Sequence, residues 1–247
     1  VILSPEQWQQ HDDAPIKIEF YLRQLQQLKQ QLNTLNIPLI IQHIPLWKDV
    51  GNFFTELLQR INIENVYANI ELGVNELKRD HDVQNVLNQQ QKELILFHDR
   101  TLFPVRSIRN QSNLPYQVFG AFKKTCYQRL QHGLPQCYPL PDAQQPIVED
   151  FSFFNQANLT TLQQAYASTL EQNMIDHWPV GETYALDLLD EFVRKRLNHY
   201  KQARDFPAQV GTSHLSAYLN IGILSIRQRI PALFRQQPGD FVIQSES

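Results

Sequence analysis

One stretch near the C-terminal end, residues 200–216, carries residue types that bind phosphate groups. Tyr200 and Arg204 are four positions apart, so a helix would place their side chains on one face. After Pro207 breaks the helical pattern, a glycine leads into the hydroxyl-rich segment 211–216, which opens a new amphipathic run. The first N–H groups of a helix are unpaired and partly positive, and glycine lets a ligand approach the backbone closely. The pattern therefore predicts a phosphate or pyrophosphate held at a helix start.

Simpler interpretations of this stretch stay open at the level of sequence. Thr212 or Ser213 can serve merely as the N-cap of the following helix, because a hydroxyl oxygen accepts a bond from a first-turn N–H group. Tyr200 can simply pack against the protein while the charge of Arg204 faces water, with no ligand at either side chain. Taken alone, the stretch predicts either a phosphate site or a capped helix.

A second pair of ligand-binding residues, Asn75 and Glu76, lies at a predicted helix start just past a predicted strand. Ligands of parallel sheets bind at the carboxyl ends of the strands. An amide and a carboxylate together offer donors and acceptors that suit the edge of a pterin-like or purine-like ring. The alternative interpretation is a favourable acidic first turn of the helix.

Other catalytic and metal-binding patterns are absent or incomplete. The runs 80–82 and 11–13 combine histidine with aspartate, but neither has two histidines in helical spacing or a further ligand set, so no metal is expected. There is no G-x-G-x-x-G, G-x-x-x-x-G-K-[ST] or G-x-S-x-G motif. Cys126 and Cys137 lack metal or redox spacing, which favours two unpaired thiols in a reducing cytoplasm.

Charge is distributed unevenly along the 247 residues, whose formal net charge is −3. Between residues 191 and 235, eight lysine and arginine residues accompany two acidic ones, which gives this segment a charge of +6. Such a basic part on an acidic chain favours an anionic partner there. No apolar run approaches the roughly 20 residues that a membrane span needs, so no membrane partner is expected.

Helical and strand-like patterns alternate from residue 16 to residue 97 with short connections. In the first helix, apolar residues recur every three or four positions from Ile18 to Leu35. The strands are continuous apolar runs, which is typical of a parallel sheet covered by helices. The other predicted elements are helices at 53–61 and 74–87 and strands at 39–41, 66–68 and 94–97.

The chain is predicted to have three parts, because its composition and its pattern of helices and strands change twice. Residues 1–98 form a Rossmann-like α/β domain, and residues 99–180 are a proline-rich connection with one helix at 118–131. Residues 181–247 begin an all-α domain. Its predicted features are a helix from Ala185 that can run on to Arg204, a short helix at 215–221 stopped by Gly222, and a capping box from Ser225 to Gln228.

Several motifs, in this order and at this spacing, resemble the cyclobutane pyrimidine dimer DNA photolyases of the photolyase/cryptochrome family. The resemblance extends over nearly the whole chain, and its most specific part is Arg204–Asp205–Phe206–Pro207 followed by residues 211–216. The other motifs are Ser4–Pro5–Glu6–Gln7–Trp8, Val74–Asn75–Glu76 with Arg79–Asp80, Val118–Phe119 with Phe122–Lys123, and Gly222 with Leu224–Ser225 and Arg227–Gln228.

The resemblance implies an N-terminal antenna domain, a long interdomain connection and the start of an all-α FAD-binding domain. It implies two cofactors, FAD and 5,10-methenyltetrahydrofolate as the antenna, and UV-damaged DNA as partner of a cytoplasmic monomer. By the family pattern, Asn75 and Glu76 bind the antenna folate and Arg204 binds DNA. The FAD-binding positions are Tyr200, Thr212, Ser213, His214, Leu215 and Ser216.

The implied activity is that of a deoxyribodipyrimidine photo-lyase. Excited reduced flavin gives an electron to a dimer flipped out of the duplex, the cyclobutane ring splits, and the electron returns. The protein needs no acid–base pair for this reaction, so no catalytic side chain is expected. Two other functions stay open, a cryptochrome-like blue-light photoreceptor and a flavin-free nucleotide-binding α/β module.

The chain departs from the family pattern at three places. The family's arginine-rich first strand is missing ahead of Val1, and the part with most flavin contacts is missing after Ser247. We therefore expect an internal fragment that alone neither holds FAD nor repairs DNA. His214 stands where the family often has a basic residue.

Overall fold

The computed structural model describes three stretches of the chain, residues 1–133, 138–147 and 151–227. Within these stretches, no helix combines the length and the apolar character that crossing a bilayer requires.

Cys126 is a free thiol, as predicted, and burial raises its pKa. Cys137 lies outside the described residues, so the prediction of an unpaired thiol there stays a prediction.

The chain folds as two compact units, each built from two separate segments. Unit 1 contains Val1–Leu96 and Leu140–Tyr184. Unit 2 contains Phe97–Pro139 and Ala185–Ser247. The predicted domain boundaries after residues 98 and 180 stay predictions.

Helices and short strands alternate through the N-terminal part, and the later part is helical, so the α/β class is confirmed. The elements up to residue 97 are β1 (Ile2–Leu3), α1 (Pro5–Gln10), α2 (Pro15–Thr34), β2 (Gln42–His43), a 3₁₀ turn (Trp47–Asp49), α3 (Val50–Arg60), β3 (Asn65–Asn69), α4 (Val74–Gln89) and β4 (Glu93–Phe97). The later elements are α5 (Phe119–Gln131), α6 (Leu159–Ala167), α7 (Gln172–Asp176), α8 (Glu182–Glu191), a π segment (Phe192–Arg196), a second 3₁₀ turn (Leu197–His199), α9 (Tyr200–Ala203) and α10 (Ser216–Asn220).

The strands form two separate two-stranded sheets. β1 pairs with β2 in parallel, with Ile2 opposite Gln42 and Leu3 opposite His43, and β3 pairs with β4. The strand predicted at 39–41 is wrong in position, because β2 begins at Gln42. Ile41 is nevertheless buried, and its carbonyl accepts a bond from the N–H of Ala157. The apolar character of residues 39–41 therefore reflects burial. The two-residue strand β1 pairs with the next two residues, Gln42 and His43.

The leucine stripe of α2 forms the first core cluster, as its periodicity predicts. Ile18, Leu22 and Leu25 are buried against Leu3 of β1 and Leu159 of α6. A second cluster joins α3 and α4 around Val50, Val83 and Leu87, with Ile44 beside them. Both clusters lie within unit 1 and fix α2 and α4, the two longest helices of the described residues.

A buried ion pair on α2 connects this helix to α6 and α7. The carboxylate of Glu19 is fully buried and accepts bonds from Arg23 Nε at 2.6 Å and Nη2 at 2.9 Å. Gln163 Nε2 of α6 donates to the same carboxylate at 2.9 Å. Arg23 Nη2 also donates to the carbonyls of Trp178 at 3.0 Å and Ile175 at 3.4 Å. The network therefore satisfies a charge that would be costly to bury alone.

The predicted continuous helix from Ala185 to Arg204 is wrong. α8 ends at Glu191, and the chain continues through the π segment and a 3₁₀ turn before the short α9. Phe192 and Val193 are buried within the π segment, and the basic residues Arg194, Lys195 and Arg196 follow them. The apolar face therefore continues past the end of α8, and only the regular α-helical pattern stops at Glu191.

The ends of α10 correct one interpretation and confirm another. Leu215 is the N-cap and no side chain makes a capping bond, so Thr212 and Ser213 are not the caps of this helix. Gly222 has a φ of +79° and follows the helix as the predicted stop. Ser225 Oγ accepts a bond from the N–H of Arg227 at 3.3 Å, but Gln228 lies outside the described residues. The full capping box therefore stays a prediction.

Candidate cofactor sites

Asn75 and Glu76 lie in the first turn of α4, where the sequence places them. Gly73 is the N-cap of this helix, and the Glu76 carboxylate folds back over it. A Cβ atom added at Gly73 would lie 2.0 Å from Glu76 Oε2, which is the end of a flexible side chain. Asn75 is exposed, and its Nδ2 lies 3.4 Å from Nε2 of His11. An amide and a carboxylate therefore both lie in the first turn of α4, on consecutive residues whose side chains do not face each other.

The surroundings of Asn75 come from α1 and the first 3₁₀ turn. The buried Gln7 accepts a bond at Oε1 from the N–H of Trp47 at 3.3 Å, and its Nε2 lies 3.0 Å from His11 Nε2. The His11 ring meets the Trp47 ring edge-on at 5.0 Å between centroids. Sequence reasoning considered His11 only as a metal ligand and did not connect it with Asn75. Only the 4–8 motif, which contains Gln7, pointed to this part of α1.

Arg79 extends this cluster on the next turn of α4. Its guanidinium lies over the Trp47 ring at 5.3 Å and binds Asp80 Oδ1 at 2.7 Å and Glu71 Oε2 at 3.0 Å. Burial by itself would lower the pKa of Arg79, but the hydrogen bonds and charges of Asp80 and Glu71 together raise it above its ordinary value. Among the residues that the structure describes, no group of three or more His, Cys, Asp and Glu is arranged to hold a metal ion.

A cavity of about 450 Å³ in unit 1 was not predicted from the sequence. Strand residues of both sheets line it, including Ile2 of β1 and Leu94 of β4, and most of its wall is apolar. Asp80 Oδ2 and Gln42 Oε1 belong to lining residues and are buried, and neither accepts a hydrogen bond from any residue in the described stretches. Tyr21 also lines the cavity, and burial together with the charge of Glu71 raises its pKa to about 12.

We expect Tyr21 to resist ionisation until about pH 12, because its neutral form is favoured by burial and by Glu71. The unfolded chain would ionise this phenol near pH 10, so its contribution to stability is complete below pH 10 and is lost between pH 10 and 12. The absorbance change of phenolate, measured for the protein and for Tyr21→Phe, isolates this group. A difference signal with a midpoint near pH 10 would contradict the expectation.

Tyr200 and Arg204 are brought together on α9, as their spacing predicts. The guanidinium carbon of Arg204 lies 5.8 Å from the centre of the Tyr200 ring. The Tyr200 ring also meets the Phe192 ring edge-on, with 5.8 Å between the centroids. Tyr200 keeps 38% of its surface exposed. The Arg204 side chain is 49% exposed, with Nε 3.6 Å from Asp205 Oδ1, which is too long for a hydrogen bond. The pair offers solvent an aromatic ring and an incompletely satisfied cation.

The hydroxyl loop, residues 212–216, folds back toward α9 through Gly211. A Cβ atom on Gly211 would lie 2.6 Å from the Cβ atom of Ala203, so the loop and α9 touch at a position only glycine can fill. Thr212 and Ser213 are half-buried and Ser216 is exposed. α10 has only five residues, so the loop's own N–H groups and hydroxyls, rather than a long helix dipole, are what it offers an anion.

His214 and Leu215 shape the hydroxyl loop in different ways. His214 has a φ of +54°, a left-handed conformation that costs a residue other than glycine about 1 kcal/mol or more. Leu215 is buried and anchors the loop next to it. Five of the six predicted FAD-binding residues are consecutive in this loop, and the sixth, Tyr200, lies on α9, which Gly211 contacts. Asn75 and Glu76 belong to the other unit.

The DNA photolyase family model matches residues 1–141 of this chain. The chain is 33% identical over 234 residues to the deoxyribodipyrimidine photo-lyase of Buchnera aphidicola from Acyrthosiphon pisum, an alignment that covers 95% of this chain and 47% of that protein. The protein of the same name from Vibrio cholerae is 33% identical, with 95% and 49% covered. The chain belongs to the DNA photolyase family.

Solved structures show the same fold. A cryptochrome from Synechocystis superposes with a TM-score of 0.63 at 19% identity, covering 92% of this chain and 47% of that one. An archaeal photolyase from Sulfolobus tokodaii, solved with two FAD molecules, gives 0.60 at 17% identity, with 92% and 45% covered. The chain therefore spans about half the length of the relatives it matches.

Proposed function

We propose that this chain serves the light-driven repair of cyclobutane pyrimidine dimers in DNA, within a protein of the length of its photo-lyase relatives. The observation that supports this most directly is that relatives named deoxyribodipyrimidine photo-lyase align with 95% of the chain. Such alignments extend past residue 141, where the family match ends, and so include the candidate flavin stretch 200–216.

Reduced FAD, when bound and excited by blue light, supplies the electron that splits the cyclobutane ring and then returns. In our proposal the chain binds and orients this cofactor without donating a proton. The hydroxyl loop holds its phosphates, with side-chain donors from Thr212, Ser213 and Ser216 and backbone N–H donors from His214 and Leu215. The exposed face of Tyr200 packs against the cofactor beside this loop. The fit of these residues to an anion supports the proposal.

Arg204 is the proposed DNA contact. Its guanidinium is half-exposed, is steadied by the Tyr200 ring and has only a long ion pair with Asp205. A phosphate oxygen can therefore replace Asp205 as its partner and accept two parallel hydrogen bonds. The basic segment around it, with a charge of +6, favours a polyanion.

The antenna is proposed to be 5,10-methenyltetrahydrofolate, held by Asn75 and Glu76. Both side chains stand at the start of α4, where the acidic Glu76 carboxylate can accept hydrogen bonds from the amino edge of a pterin. The presence of an amide and a carboxylate in the first turn of α4 supports this choice. We propose that the protein acts as a cytoplasmic monomer.

A repair assay on the full-length protein loaded with FAD tests the proposed function. DNA that carries pyrimidine dimers should lose them under blue light and keep them in the dark. Repair in the dark, or no repair in the light by protein with bound flavin, would overturn the proposal. The same assay separates repair from a photoreceptor function, which needs no loss of dimers.

The proposed DNA contact has its own expected result. Arg204→Gln should weaken binding to dimer-containing DNA and reduce the slope of log K against log salt by about 1, because one phosphate contact is lost. Lys17→Gln, which removes an exposed cation of α2, should leave both quantities unchanged. An unchanged salt slope in Arg204→Gln would show that this side chain makes no phosphate contact.

A further inference from the structure

We propose that Asp99 is a positioning residue for the hydroxyl loop, on which it acts through Ser225 and α10. This inference rests on the proposed function, since that function makes the hydroxyl loop the binding site of the flavin phosphates. Asp99 follows β4, and Ser225 belongs to a family motif that the sequence left without a role. The structure joins the two, because Ser225 Oγ donates a hydrogen bond to Asp99 Oδ1 at 3.0 Å. Both residues belong to unit 2.

The carboxylate of Asp99 decides how the Ser225 hydroxyl is oriented. A carboxylate has no proton to donate, so the single proton of the hydroxyl must point to Asp99. The lone pairs of Ser225 Oγ are then available as acceptors, and the N–H of Arg227 approaches them at 3.3 Å. The hydroxyl therefore donates on one side and accepts from the backbone on the other. In this way Asp99 holds the backbone after Ser225 as well as its side chain.

The turn that contains Ser225, residues 221–225, is folded back on α10. The N–H groups of Ile223 and Leu224 both donate to the carbonyl of Tyr218, at 2.9 and 3.4 Å. The residues Tyr218 and Leu224 are almost fully buried, with 1% and 2% of their surface exposed. Because hydrogen bonds and close packing join the turn to the helix, we expect α10 and residues 221–225 to move as one piece.

The short helix α10 connects this turn to the hydroxyl loop. Its five residues rise only about 7.5 Å, so a displacement at one end reaches the other. At its start, the N–H of Leu219 donates to the carbonyl of Leu215 in the hydroxyl loop at 2.9 Å. At its end, Arg100 Nη2 donates to the carbonyl of Asn220 at 3.3 Å. Asp99 and its neighbour Arg100 therefore hold the end of α10 that lies opposite the hydroxyl loop.

The segment that carries Asp99 is itself held by hydrogen bonds. The N–H of Val105 donates to Nδ1 of His98 at 3.4 Å, and Thr101 Oγ1 donates to the carbonyl of Phe103 at 2.7 Å. Asp99 is half-buried, and a hydrogen bond shielded from water is stronger than an exposed one. The carboxylate is therefore placed by a folded loop and can serve as a fixed point for α10.

Titration of the full-length protein and its variants with FAD tests the inference. Asp99→Ala should weaken FAD binding about five- to tenfold, because a hydrogen bond to a charged group is lost at one end of α10. Ser225→Ala should cause a similar loss, and the double variant should bind no more weakly than the weaker single variant, since both changes remove the same contact. Asp99→Asn keeps an acceptor oxygen and should stay within about threefold of the unchanged protein. Asp142→Ala, which removes an exposed carboxylate from the same predicted connection, should leave the affinity unchanged.

The pyrophosphate of bound FAD gives a readout that a merely structural role would not change. At saturating FAD, its ³¹P resonances should shift toward those of free FAD in Asp99→Ala and Ser225→Ala and should stay in place in Asp142→Ala. If Asp99→Ala does not fold, Ser225→Ala decides the question, because it removes a single hydroxyl.

Three results would overturn the inference. They are unchanged FAD affinity in Ser225→Ala, additive losses in the double variant, and unshifted ³¹P resonances in the variants that bind FAD more weakly. A full-length protein that binds no FAD would refute the proposed function together with this role of Asp99. Equal binding of FAD by the unchanged protein and by the Asp99 and Ser225 variants would refute the role of Asp99 alone.

Discussion

Replacement of Glu19 by alanine is expected to lower the free energy of unfolding by about 3–5 kcal/mol, because it leaves the largely buried charge of Arg23 without its partner. The Glu19 carboxylate is fully buried and accepts three hydrogen bonds, two from Arg23 and one from Gln163. The loss should extend to the contacts of α2 with α6 and α7, which the network joins. Urea unfolding, with the midpoint and the slope recorded separately, measures the effect.

A matched control is available on α8 and the segment after it. Asp190 and Arg194 form an ion pair of the same i, i+4 spacing at 2.7 Å, but both side chains are more than half exposed. Asp190→Ala should therefore cost less than about 1 kcal/mol. A double variant that replaces Glu19 and Arg23 by leucine and methionine should recover much of the loss, because no charge is left buried. A Glu19→Ala variant no less stable than Asp190→Ala would contradict the account.

Replacement of Gly211 by alanine is the second change with a large expected effect. The new Cβ atom would lie 2.6 Å from Ala203 Cβ and 2.9 Å from the Ala203 carbonyl carbon and oxygen. Because two of these three atoms are backbone atoms, the hydroxyl loop has to move away from α9. We expect a loss of about 1–3 kcal/mol in stability and, if the loop binds the flavin phosphates as proposed, at least about tenfold weaker binding of FAD by the full-length protein.

Two comparisons make the result for Gly211 specific. Gly120 lies in α5 with nothing within 4 Å of an added Cβ atom, so Gly120→Ala should keep or raise stability, by up to about 1 kcal/mol. Adding Ala203→Gly to Gly211→Ala removes the contact between the two Cβ atoms but not the contact with the Ala203 backbone. The double variant should therefore recover only part of the flavin affinity. Full affinity in Gly211→Ala alone would show that the distance between loop and helix is unimportant.

Local sequence was enough to predict α2, α3 and α4 of unit 1 and the α/β class, but not α6 and α7, which lie in the connection predicted to have one helix. The spacing of Ile18, Leu22 and Leu25 is enough to predict α2, because a helix repeats every 3.6 residues and its apolar face must be buried. Gly222 could be predicted as a stop, because only glycine adopts a positive φ without cost. The family motifs around Asn75 and at 204–216 could also be recognised from the sequence, because a motif depends on residue identity at fixed spacing and not on the path of the chain.

Tertiary structure alone decided the features that depend on partners distant in sequence. The predicted strand at 39–41 moved to Gln42 because pairing follows the position of β1, and apolar character reports burial but not pairing. The helix predicted to reach Arg204 ended as a regular α-helix at Glu191, although the buried Phe192 and Val193 continue its apolar face into the π segment.

The candidate sites divide in the same way. Residue types placed ligand-binding side chains at the start of α4 and in the hydroxyl loop. Their contacts with other segments include His11, which is 64 positions from Asn75, and Ala203, which lies eight positions before Gly211. No periodicity encodes such contacts, because they arise when separate segments pack together. The sequence thus determined which residues are candidates for binding a cofactor, because residue type decides the donors and acceptors, and the packing of separate segments decided what surrounds them.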